Sequence, residues 1–129
     1  MDAEIGGSSG DDVTQCEDRI VSQWREVSAD EKHELRERVD EILRPLGYET
    51  SLLVMRRANS IAFYFVCMTL AALMSLRDQW RTRQLRDIVQ SLFRLLADTV
   101  RITRLTWPVT DYERCLQFFN SVKGKPWIL

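Results

Sequence analysis

The stretch Ile61-Ala-Phe-Tyr-Phe-Val-Cys-Met-Thr-Leu-Ala-Ala-Leu-Met-Ser-Leu76 carries no charged side chain, and its reading decides the fold. With Ala58, Asn59 and Ser60 the uncharged run reaches from Ala58 to Leu76; Arg56 and Arg57 precede it, and Arg77, Arg81 and Arg83 follow. Read as a helix, a run that is apolar all round is either buried on every side or placed in a membrane. At 1.5 Å per residue its Ile61–Leu76 core spans roughly 24 Å, short of a hydrocarbon layer of about 30 Å. The remaining segments are one-sided helices that need something apolar to pack on, which a single lipid-spanning helix does not offer. The expected architecture is therefore an all-α bundle wrapped around a central hydrophobic helix, with no stable transmembrane anchor.

Working outward, the periodicity predicts four further helices. Val13, Cys16, Ile20, Trp24 and Val27 recur at spacings of three and four behind Asp11 and Asp12. Ser28-Ala-Asp-Glu31 reads as a capping box ahead of Leu35, Val39, Ile42 and Leu43, and Pro45-Leu-Gly47 stops that helix. A short segment around Leu52, Leu53 and Met55 leads into the apolar run. Leu85, Ile88, Val89, Leu92, Phe93, Leu96 and Val100 mark the next helix. After Pro108, Thr110-Asp-Tyr-Glu113 caps a last one with Cys115, Leu116, Phe118, Phe119 and Val122, ended by Gly124 and Pro126. Residues 1–11, with three Gly and two Ser, read as a disordered leader, 12–123 as the helical domain and 124–129 as a short tail.

Charge is divided along the chain. Residues 1–43 hold 13 acidic and 5 basic side chains; residues 44–129 hold 6 acidic and 13 basic. The arginines are spread along helices without Gly or aromatic interleaving, so the two halves are expected to complement each other and no nucleic-acid partner is expected. Cys16, Cys67 and Cys115 each fall on an apolar face and read as reduced core thiols of a cytoplasmic protein. One histidine, His33, and no paired cysteines leave no transition-metal site, and no cofactor is expected. No nucleophile–base pair or Gly-rich phosphate loop points to an enzyme.

Three segments resemble motifs of the Bcl-2 family of apoptosis regulators, in the family's order. Leu35-Arg-Glu-Arg-Val-Asp-Glu-Ile42 is similar to the BH3 motif, with Asp40 at the motif's Asp and Val39 in place of its small residue. Asn59-Ser-Ile-Ala-Phe-Tyr-Phe65 resembles the opening of the family's central helix in the BH1 region, with Arg56-Arg-Ala-Asn59 in place of the signature Asn-Trp-Gly-Arg. Trp107-Pro-Val-Thr-Asp-Tyr-Glu-Arg-Cys-Leu-Gln-Phe-Phe119 resembles the BH2 region. The compactness and the altered signature look like the divergent viral members.

The resemblance implies an inhibitor of apoptosis that sequesters the BH3 helices of pro-apoptotic Bcl-2 proteins in an apolar surface groove, cytoplasmic or peripheral at the mitochondria of a host cell. It implies pockets formed by Leu43, Leu46, Tyr48, Leu52, Met55, Ile61, Ala62 and Val66. The ligand's Asp would meet Arg56 or Arg57, with Asn59 as a hydrogen-bonding alternative. An open apolar groove is also a site for self-association, which leaves a homodimer open. The alternative is a small membrane-associated or nucleic-acid-binding helical protein, using the flanking arginines or the basic half of the chain.

Overall fold

The computed structural model describes residues 1–6, 10–29, 32–57, 60–97, 100–121 and 127–128. In chain order these form β1 (Asp2–Gly6), α1 (Gly10–Ser28), α2 (His33–Leu43), a 3-10 turn (Arg44–Leu46), β2 (Thr50–Arg57), β3 (Ile61–Cys67), α3 (Leu70–Arg81), α4 (Gln84–Leu96), β4 (Arg101–Thr106), α5 (Val109–Ser121) and β5 (Trp127–Ile128). The all-α bundle is thus corrected to a mixed fold. Five α-helices accompany a five-stranded antiparallel sheet in the order β2-β3-β1-β4, with β5 also paired to β3.

The correction turns on the uncharged run itself. No central helix runs from Ala58 to Leu76. Ile61–Cys67 is a strand, and Leu70 begins a separate helix. The physical reason is local. Ile61, Phe63, Tyr64, Phe65 and Val66 are β-branched or aromatic and favour a pleated, packed surface. Thr69 then stands at φ −137° and ψ 163°, and its hydroxyl accepts from the Ala72 N–H at 3.1 Å, which caps α3. Asp2–Gly6, expected within a disordered leader, is an inner strand between β3 and β4. Residues 7–9 lie outside the described residues, as do Asp30, Glu31, Val122, Gly124 and Pro126 of the expected caps, stripe and stops.

Side chains along β3 alternate as a strand requires. Ile61, Phe63, Phe65 and Cys67 are fully buried, while Tyr64 and Val66 on the opposite face are half-buried. Phe63 meets Phe65 edge-to-face at 5.6 Å and Phe93 of α4 at 6.3 Å. α4 contributes Leu85, Ile88, Val89, Leu92, Phe93 and Leu96 to this core, and α1 adds Ile20, Trp24 and Val27. Val100, expected on the same stripe as the α4 residues, lies beyond the end of that helix. At the far end, Arg77 of α3 lies 4.5 Å from the Tyr112 ring, 5.0 Å from Trp80 and 5.7 Å from Trp107, and ties α3 to the start of α5.

The two edges of the sheet differ. At β4, Gln90 of α4 donates its amide to the carbonyl of Val100, just before the strand, and accepts from the Ile102 N–H within it at 2.6 Å. Arg86 donates to the Ile102 carbonyl at 2.8 Å, and Arg94 to that of Val100 at 3.3 Å. Helical side chains thus occupy backbone groups where another strand would pair.

The β2 edge has no such cover. Phe63 exchanges backbone hydrogen bonds with Met1 (2.9 and 3.1 Å), so its N–H and C=O point away from β2. By the antiparallel alternation Tyr64 and Val66 bond β2 through Val54 and Ser51. Thr50 and Leu52, opposite Cys67 and Phe65, therefore turn their N–H and C=O groups outward. Among the described residues no side chain or strand bonds them. A register shift between Leu52 and Val54 divides this edge into two short pieces.

Candidate functional site

A groove of about 510 Å³ runs between the C-terminal half of α2 and the first residues of β2. Trp24 of α1 lines it together with Arg36, Val39, Asp40, Leu43 and Arg44 on the helical side. Gly47, Tyr48, Thr50, Ser51 and Leu52 line the other side. Each element arrives there for a local reason. Val39 is buried on the stripe that seats α2. Pro45 ends the helix within a 3-10 turn, and Gln79 of α3 holds the Pro45 carbonyl at 3.0 Å. Gly47 comes next at φ 87°, the left-handed region that favours glycine, and donates its N–H to the Arg44 carbonyl at 3.0 Å. That turn leaves Tyr48 fully exposed at the groove's mouth and delivers Thr50 to the sheet edge.

The sequence-predicted residues divide. Leu43, Tyr48 and Leu52 meet in this groove. Leu46, Met55, Ile61 and Ala62 are buried at 6, 6, 0 and 6% exposure. Val66 is half-buried on the other face of β3, and Asn59 lies outside the described residues. Neither arginine expected to read the ligand's charge lines the groove. Arg56 donates to the Tyr64 hydroxyl at 2.9 Å, with its guanidinium 5.5 Å from that ring. Arg57 pairs with Asp18 at 3.0 Å and Glu17 at 3.7 Å on α1, so the expected complementarity of acidic and basic halves is realised at this contact. Sequence reasoning misses Trp24, Arg36, Val39, Asp40, Arg44, Gly47, Thr50 and Ser51 as groove residues. The available signal is Gly47 behind Pro45, which marks a turn able to present Tyr48 and Thr50.

Electrostatics in the groove favour a net positive charge. Arg36 is paired with Asp40 at 3.2 Å and donates to the Val27 carbonyl at 3.4 Å. Arg44 is exposed and has no ion-pair partner among the described residues. Trp24 is 5% exposed, and its indole N–H finds no acceptor among the described residues. Thr50 donates its hydroxyl to the Cys67 sulfur at 4.0 Å. Burial pushes the Cys67 thiol up to about 11 and that of Cys115 up to about 12, so both are protonated at neutral pH.

Glu17, 6% exposed, has its carboxyl raised above the ordinary 4.5 by burial, against the opposing pull of Arg57. A carboxyl raised in the folded state contributes stability that is fully present below its unfolded value and is lost as pH rises through the raised one. Glu17→Gln is expected to flatten the fall in Tm above about pH 4.5, measured by thermal melts across pH. An unchanged slope would place the dependence elsewhere.

Among the described residues, no helix is long and apolar enough to cross a membrane, and no group of three or more His, Cys, Asp or Glu side chains is placed to hold a metal ion. Comparison with protein-family models, with curated proteins and with solved structures finds no match.

Proposed function

We propose that the chain is a peptide-recognition module that captures an extended segment by adding it to the open edge of β2, beside α2. The asymmetry of the sheet's two edges carries this reading. Side chains of α4 occupy backbone groups on β4, whereas the ladder's alternation turns the N–H and C=O groups of Thr50 and Leu52 away from β3, with no bonding partner among the described residues, beside a groove with apolar lining from Val39, Leu43 and Leu52. Backbone pairing would supply affinity, and the side chains of α2 specificity. The register shift after Leu52 limits the paired length, which suits a short linear segment.

Capture of a pro-death BH3 helix, with inhibition of apoptosis as its consequence, is the second reading. It is favoured by the meeting of Leu43, Tyr48 and Leu52 in one groove.

The test is an NMR titration with two labelled probes, a Val- and Thr-rich extended peptide and a BH3 peptide. Strand addition is expected to move and protect the amides of Thr50 and Leu52, with no gain in helical circular dichroism. A saturable gain in helicity with the BH3 peptide would select the second reading. Concentration-dependent protection of the same amides without any peptide would assign the edge to a second copy of the chain. No saturable change at these amides would overturn capture at the β2 edge.

A further inference from the structure

Resting on strand addition at β2, we propose that the captured segment carries an acidic side chain, which Arg44 reads. Two observations converge. Arg44 lines the groove as an exposed cation without an ion-pair partner among the described residues, beside the internally paired Arg36 and Asp40. Those three side chains leave the groove with one positive charge in excess. Trp24 lines the same groove as a buried apolar wall, its indole nitrogen shut off from solvent.

The sheet geometry fixes which ligand positions matter. Thr50 and Leu52 share the face of β2 that carries Met55 and looks toward the core helices. Ligand residues paired opposite Thr50 and Leu52 send their side chains to that same face, toward α2, while the residue between them points away. The acidic residue belongs at one of these two alternate positions and an apolar residue at the other, against Leu43 and Val39.

The experiment is fluorescence anisotropy with labelled, C-terminally amidated Val- and Thr-rich peptides of about six residues, differing only in Asp, Asn or Lys at one alternate position. The Asp peptide is expected to bind at least tenfold more tightly than the Asn peptide, and the margin to shrink as salt rises. In Arg44→Glu, a substitution at an exposed position, the order of Asp and Lys peptides should reverse. Equal binding of Asp and Asn peptides, or an unchanged order in Arg44→Glu, overturns the charge reading while leaving edge capture intact. Failure of every peptide to bind overturns edge capture itself.

Discussion

Phe63→Ala is expected to destabilise the protein by about 3–5 kcal/mol, close to the entire stability of many small domains. The ring is 1% exposed at the centre of β3 and packs edge-to-face on Phe65 and Phe93, so truncation removes buried area and leaves a cavity between sheet and helix. The informative comparison is its neighbour. Tyr64, half-buried on the opposite face, holds Arg56 through its hydroxyl, and Tyr64→Ala should cost only about 1 kcal/mol. Urea denaturation of the two variants reads the difference as a shift in midpoint at constant slope. A central helix apolar on every side would make the two substitutions comparably damaging.

The second large effect belongs to a pair of proline substitutions. The Ser51 N–H faces Val66 in the ladder, so Ser51→Pro loses an internal hydrogen bond and is expected to destabilise by about 3 kcal/mol. Leu52 directs its N–H outward, and proline is tolerated where a strand's N–H faces away from the sheet. Leu52→Pro should therefore keep a native melt and abolish peptide binding, a loss of more than about tenfold for a ladder bond and an apolar contact together. Full binding by a folded Leu52→Pro protein would contradict capture through the β2 backbone.

Four of the helices among the described residues are legible because each carries its own period, whereas α3 merges with β3 into one uncharged run. α1, α2, α4 and α5 show apolar residues at spacings of three and four, and the buried stripes follow them. The sheet is not legible, for three separate reasons. Along Ile61–Cys67, Ala62 is buried as well as its odd-numbered neighbours, so polarity does not alternate and the run imitates a buried helix. Asp2–Gly6 pairs with Thr106–Arg101 and with Ile61 and Ala62, partners far along the chain that leave no local trace. Arg101–Thr106 does alternate in part, but a register shift opposite Glu4 and Ile5 changes its phase.

The site shows the same division. Leu43, Tyr48 and Leu52, expected as walls of a helix-binding groove, line one that borders a strand. Arg57 turns to α1 because its partners, Glu17 and Asp18, lie far back in the chain, and local spacing gives no sign of them. Thr50 and Ser51 belong to the groove only because a sheet edge exists there. A strand edge is a property of pairing, and no single segment announces it.

Residue-resolved amide hydrogen exchange on the free protein tests the central claim most directly. The antiparallel sheet with its open β2 edge predicts slow exchange at Ser51, Tyr64 and Val66 and fast exchange at Thr50 and Leu52, with the last two becoming slow when a peptide is added. Uniform protection from Ile61 through Leu76, with the sequential amide contacts of a continuous helix, would contradict it.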